Sequence, residues 1–163
     1  MPLSPGRRIE VSERHPDNRG VLAYLRTGNR DAAPPLSARP GDVTDPYYQL
    51  GTHPDVVEHV WDVLGSALTE DCRCVVSGCI ALVQPNSGVV LALGLGTTYA
   101  VRFSPADAAE TAAAGLNRTH RYRTSGDGLD LEEWGEGWLF GAYDRREPEW
   151  LRRAFEYYAS AAS

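Results

Sequence analysis

Two consecutive extended runs, residues 74–83 and 89–103, constrain the fold of this chain more than any other feature. Both runs are rich in β-branched and small apolar residues, and the turn-forming sequence Gln-Pro-Asn-Ser-Gly at residues 84–88 separates them. Their apolar residues do not alternate strictly with polar ones, so both faces of each strand carry apolar side chains. We therefore predict a β-hairpin at the centre of a mainly antiparallel sheet.

Three stretches predict helices that pack against this sheet, at about residues 53–68, 105–114 and 148–160. Segments 52–55 and 104–107 each have the form of a capping box with a proline in the first turn. In the first helix, apolar residues recur at steps of three and four, and acidic residues fall mainly on the other side. Strands and helices together predict an α+β protein.

The size and composition of the chain predict a single globular domain spanning residues 1–163. Hydrophobic residues make up 42% of the chain and charged residues 23%, which is close to the globular average. Glycine and proline are dense at residues 27–46, which predicts a long loop that is either a functional lid or a connector. We expect neither a secretory signal nor a membrane span, because no uninterrupted apolar run is long enough.

The three cysteines, Cys72, Cys74 and Cys79, are an odd number crowded into a short stretch. A secreted disulfide framework usually has an even number spread along the chain, so we expect a reducing, cytoplasmic location. A Cys-x-Cys pair on a strand would direct both thiols to one face, without a turn that closes them around a metal. We predict that the cysteines pack as small apolar residues, with no metal and no other cofactor.

The charge of the chain excludes several classes of function. The net charge of −6 opposes general nucleic-acid binding, which depends on clustered cations. All 16 basic residues are arginine, so mechanisms that require a Schiff-base lysine or a P-loop lysine are excluded within this sequence. Carboxylate pairs are too ordinary in an acidic, helical sequence to indicate a general acid and base, and we assign no catalytic residue.

Two polar segments are candidates for binding an anion or another small ligand. The glycine-rich segment 94–98 could bring backbone N–H groups close to a phosphate, although a strand bulge is the preferred interpretation. The basic segment 118–123 could hold an anion through arginine forks, although the acidic run that follows could neutralise it. The candidate ligand-binding residues are Gly94, Gly96, Thr97, Thr98, Arg118, His120, Arg121 and Arg123.

Aromatic residues crowd the last 30 positions and suggest an interface. Tyr157 and Tyr158 are the candidate interface residues, because adjacent residues of a helix cannot share a face and both cannot lie in the core. Self-association through this helix, giving a homodimer, is compatible with either function considered below.

Two functional hypotheses follow. The first is a non-enzymatic cytoplasmic module that binds another protein, as an immunity protein or a regulator does. Its acidity would speed association with a basic partner. The alternative is an enzyme or small-molecule binder, with a pocket where segments 94–98 and 118–123 converge under the 27–46 loop. Neither hypothesis involves nucleic acid or a membrane.

Overall fold

The computed structural model describes residues 11–25, 37–38, 45, 50–102, 138–144, 146–147 and 149–161 of the chain. In this part the protein has the predicted α+β arrangement, an antiparallel sheet with helices packed against it. The helix predicted at 105–114 lies outside the described residues.

Six strands form the sheet, and each pairs antiparallel with its neighbour in sequence. They are β1 (Ser37–Ala38), β2 (Arg73–Val76), β3 (Cys79–Val83), β4 (Val90–Leu95), β5 (Thr98–Arg102) and β6 (Trp138–Ala142). Strands β3 and β4 are the predicted hairpin, and they occupy the two central positions of the sheet.

Each of the two long strands predicted from the sequence is in fact a hairpin of its own. Ser77 and Gly78 have φ values of 47° and 81° and close β2 onto β3, as a type I′ turn requires. Gly96, with φ of 61°, begins the two-residue turn that closes β4 onto β5. Each turn interrupts an apolar run for only two residues, so the apolar pattern alone did not separate the strands.

The predicted bulge at Gly94 and Gly96 is also misplaced. The register of β3 against β4 shifts near Leu91, which is the extra residue of a β-bulge in β4. Gly94 instead stays in the ladder, and a Cβ atom added there would lie 2.9 Å from Ile80 Cγ1. Close packing, and not a change of strand direction, explains this glycine.

Three helices are described. They are α1 (Arg19–Leu25), α2 (α-helical Pro54–Glu58, π-helical His59–Val63 and 3₁₀-helical Leu64–Ala67) and α3 (Glu149–Ala161), and short 3₁₀ turns span Pro16–Asn18 and Glu70–Cys72. Helices α2 and α3 confirm the predictions at 53–68 and 148–160. No helix within the described ranges has both the length and the apolar character needed to cross a bilayer.

The start of α2 is capped by His53, and not by Thr52 as the capping-box pattern predicts. His53 Nδ1 accepts a hydrogen bond from the backbone N–H of Asp55 at 3.1 Å. His15 caps the first 3₁₀ turn in the same way, through the N–H of Asp17 at 3.2 Å. Both sites have the sequence His-Pro-Asp, so a histidine followed by proline begins the helical turn in each case.

Both faces of the sheet are buried, which explains why the apolar residues do not alternate with polar ones. Cys79, Ala81 and Val83 of β3 lie in one core, together with apolar residues of α1. Ile80 and Leu82 lie in the opposite core, together with residues of α2 and α3. Alternate residues of β3 therefore still point to opposite faces of the sheet, but both faces are apolar.

The proline- and glycine-rich stretch 27–46 is described only at Ser37–Ala38 and Asp45. Ser37 and Ala38 pair with Val76 and Val75 and add a two-residue strand at one edge of the sheet. An edge strand this short fits between prolines, since one side of it needs no ladder partner.

Candidate functional site

A cluster of ionisable side chains is buried between the sheet, α2 and α3. His59 Nε2 lies 2.7 Å from Glu147 Oε2, and the Tyr99 hydroxyl donates a short hydrogen bond to the same oxygen. Arg152 Nε donates to Glu147 Oε1 at 3.1 Å, and the backbone N–H of Glu147 donates to the Tyr99 hydroxyl at 3.0 Å. We call His59, Tyr99, Glu147 and Arg152 the buried cluster.

Gly141 makes room for Tyr99 in this cluster. Tyr99 of β5 lies between Gly94 of β4 and Gly141 of β6 in the cross-strand register. A Cβ atom at Gly141 would lie 2.1 Å from Tyr99 Cζ, so the ring covers the bare backbone of β6. The neighbouring strand must therefore carry glycine for the hydroxyl to reach Glu147.

The π-helical segment of α2 places His59 in the cluster. His59, Val60 and Trp61 are consecutive and all buried. Three consecutive side chains of a regular α-helix point in directions that span more than half of its circumference. A π turn changes the angle between successive side chains locally. Trp61 Nε1 also donates to the carbonyl of Ala81 at 3.1 Å, which anchors this turn to β3.

Glu147 carries the negative charge of the cluster. Burial raises the pKa of this carboxyl, but hydrogen bonds from His59 and Tyr99 outweigh burial and hold the pKa below its ordinary value. The pKa of Tyr99 is raised, first by burial and then by the negative charge of Glu147. The tyrosine therefore stays protonated and donates, and the carboxylate stays ionised and accepts.

Apart from Arg152, whose side chain is 39% exposed, these groups expose almost nothing to solvent. The Glu147 side chain is 1% exposed, and Tyr99 is completely buried. Catalytic acids and bases must come within hydrogen-bond reach of a substrate. The arrangement instead joins α2, β5 and the segment before α3, so it stabilises the fold.

A second buried polar group, Arg102, lies at the far end of β5. Its Nε donates to the Val90 carbonyl at 2.8 Å, and its guanidinium lies 4.3 Å from the centre of the Trp138 ring. Burial lowers the pKa of Arg102, and burial raises the pKa of Tyr158 to about 12, so the Tyr158 hydroxyl keeps its proton at neutral pH. The Tyr158 hydroxyl donates to Asp17 at 2.5 Å, which links α3 to the N-terminal turn.

The exposed surface of α2 is acidic. Asp55, Glu58 and Asp62 are exposed and follow one another at steps of three and four residues, so they share one side of the helix. We call these three residues the acidic face. Within the described part of the chain, Arg73 provides their only ion pair, with Asp62 at 3.4 Å.

A pair of stacked aromatic rings lies at the start of this helix. The rings of His53 and Tyr143 are 4.5 Å apart at an angle of 23°, and Tyr143 is 41% exposed. The N–H groups of these two residues donate to the carbonyls of Gly96 and Thr97, at 2.8 Å and 2.9 Å respectively. We call His53 and Tyr143 the aromatic platform.

The structure describes four of the eight predicted ligand-binding residues. Gly94, Gly96, Thr97 and Thr98 form the end of β4, the tight turn and the start of β5. The carbonyls of the turn accept from the aromatic platform, and Gly94 packs against Ile80. The remaining candidates lie outside the described residues: Arg118, His120, Arg121 and Arg123.

The two predicted interface tyrosines have different positions. Tyr157 is 73% exposed on the outer side of α3, whereas Tyr158 is only 8% exposed and bonded to Asp17. Of the two, only Tyr157 is therefore exposed to solvent.

The three cysteines are buried thiols, but the expected common face of the Cys-x-Cys pair is wrong. Cys72 and Cys74 lie in opposite cores, because Cys72 belongs to a 3₁₀ turn before β2. Burial raises the pKa of both thiols, so they stay protonated and unreactive. Within the described ranges, no group of three histidine, cysteine, aspartate or glutamate residues could hold a metal ion.

Comparison with known proteins finds no match to this chain among family models, curated proteins or solved structures.

Proposed function

We propose that this chain is a non-enzymatic protein-binding module that recognises a partner with a basic surface. The acidic face of α2 carries this proposal. Asp55 and Glu58 point to solvent without an ion pair in the described part of the chain, and Asp62 has one long contact with Arg73. Carboxylates in this state are available to the arginines and lysines of another protein.

The state of the buried cluster also supports a binding role over a catalytic one. His59 and Glu147 are the residue types that most often act as general base and acid, yet they are paired with each other in the protein interior. The ionisable groups that remain accessible on α2 are suited to electrostatic recognition.

The overall charge favours the same kind of partner. A net charge of −6 attracts basic proteins from a distance, which increases the association rate and makes it dependent on ionic strength. Neutralisation or regulation of a basic protein is the activity that this chemistry serves. Three buried cysteine thiols, none in a disulfide, are consistent with a reducing, cytoplasmic site of action.

Capture of the partner from a lysate of the host organism tests the proposal. The immobilised protein is compared with a variant whose acidic face is neutralised by Asp55→Asn, Glu58→Gln and Asp62→Asn. We expect the wild type to retain a discrete basic protein that is released as salt rises from about 0.05 M to about 0.5 M. The variant should lose it.

A second variant controls for net charge. Glu70→Gln, Asp71→Asn and Glu156→Gln also remove three exposed carboxylates, which changes the net charge from −6 to −3 in both variants. This control should retain the partner. Equal retention by the two variants, or retention that salt does not weaken, would contradict recognition through α2.

A further inference from the structure

The aromatic platform adjoins the acidic face and has the properties of an anchor for a cationic side chain. Tyr143 and Tyr157 are the two large apolar or aromatic side chains that the described part of the chain exposes. Tyr143 differs from Tyr157 in being held on two sides, by its backbone hydrogen bond to Thr97 and by the His53 ring. A fixed ring loses little conformational entropy when a partner binds to it.

The second ring of the platform is held as firmly as the first. The His53 N–H donates to Gly96, and His53 Nδ1 accepts from the N–H of Asp55. These two hydrogen bonds hold the imidazole in place beneath Tyr143. Both rings of the platform are therefore positioned before a partner binds.

Two exposed carboxylates are close to the platform in sequence. Asp144 follows Tyr143 directly, and Asp55 is the second residue after His53. The acidic face continues from Asp55 along α2. The exposed Arg146 also follows Tyr143 closely in the chain, and its Nη1 donates to the Ala142 carbonyl at 3.1 Å.

An exposed aromatic face next to carboxylates matches the chemistry of an arginine side chain. A guanidinium stacks on aromatic rings and forms forked hydrogen bonds with carboxylates, and it loses its hydration more readily than an ammonium group does. We propose that the aromatic platform, with Asp55 and Asp144 beside it, is the docking site for an arginine of the basic partner.

This inference rests on the proposed function and names the anchor of the same surface. The probe is a blocked Gly-Arg-Gly-Arg-Gly peptide, with a matched peptide in which citrulline replaces arginine. Citrulline keeps the shape of the side chain and removes its charge. Binding is followed by backbone amide chemical shifts of the full chain.

We expect the arginine peptide, and not the citrulline peptide, to shift the amide signals of Asp55, Thr97 and Tyr143. Tyr143→Ala should weaken binding by about fivefold, as expected for loss of an exposed cation–π contact. Tyr143→Phe keeps the ring and should bind as the wild type does. Tyr157→Ala removes the other exposed tyrosine and should also leave binding unchanged.

Two results would overturn the inference. If the peptide binds but Tyr143→Ala has wild-type affinity, the arginine docks elsewhere and recognition through the acidic face still stands. If the arginine peptide causes no shifts at all, the platform does not bind arginine. Partner capture with the neutralised acidic face then decides the proposed function independently, because that experiment leaves Tyr143 unchanged.

Discussion

The buried cluster and the aromatic platform contain the same types of residue in opposite environments. Each combines a histidine of the α2 region with a tyrosine from the β5–β6 side of the sheet, and each has a carboxylate in or near it, Glu147 in the cluster and Asp55 next to the platform. His59 and Tyr99 are bonded to Glu147 in the interior, whereas Tyr143 is 41% exposed above His53. Residue type alone therefore does not determine the role of a side chain. Burial and pairing make the buried cluster a structural contact between elements, whereas the aromatic platform stays accessible.

The largest expected effect on stability follows from removing Glu147 from the buried cluster. Glu147→Ala leaves His59 and the Tyr99 hydroxyl buried without their acceptor, and we expect the free energy of unfolding to fall by about 3–5 kcal/mol. Urea denaturation measures this change. Glu149→Ala removes an exposed carboxylate two residues later and serves as the control. A similarly small change in both variants would show that Glu147 does not hold the fold together.

A second expected effect concerns the space for Tyr99. Gly141→Ala places a methyl group against the Tyr99 ring, and we expect a loss of about 2–3 kcal/mol from overpacking. Gly78→Ala is the matched control, since its positive φ strains an alanine although nothing lies within 4 Å of the added Cβ. We expect about 1 kcal/mol for that strain alone. Equal losses would mean that the ring can move away from β6.

Acid should weaken the buried cluster through Glu147. The pKa of Glu147 is lower in the folded protein than its ordinary value of 4.5, so the folded state binds fewer protons. The stabilisation from Glu147 is therefore present above the ordinary value and is lost as pH falls through the lowered one. Between about pH 5 and about pH 3, Glu147→Gln should lose less stability than the wild type. Parallel pH profiles would contradict this assignment.

The smallest effects on stability are expected at the aromatic platform. His53→Ala removes the N-cap of α2 and should cost about 1 kcal/mol, whereas Tyr143→Ala should cost less than about 0.5 kcal/mol. Thermal unfolding compares the two variants. A large loss in Tyr143→Ala would mean that this ring supports the fold, and the contrast between the two regions would disappear.

The sheet and two of its helices could be predicted because their signals are local. Apolar runs predicted the β3–β4 hairpin, and three- and four-residue periodicity predicted α2 and α3. The turns at 77–78 and 96–97 were missed because they barely interrupt an apolar pattern. Their dipeptides, Ser-Gly and Gly-Thr, were the signals that could have separated the strands.

The buried cluster could not be predicted from the sequence. His59 and Glu147 are 88 positions apart, and each looks like an ordinary polar residue beside its neighbours. Glu147 lies in a charged segment, where a solvated side chain is the normal expectation. The sequence held one indirect sign, Gly141, and its meaning depends on knowing that it lies opposite Tyr99 in the sheet.

The type of the main helices and strands, the net negative charge of the chain and the apolar character of both sheet faces all follow from the sequence alone. These properties follow from residue type and from periods of 2 and 3.6, which act over a few neighbouring residues. Only the tertiary structure decided which histidine, tyrosine and carboxylate are enclosed and which reach solvent. That decision depends on strand register and on helix placement, which bring together residues that no local interaction connects.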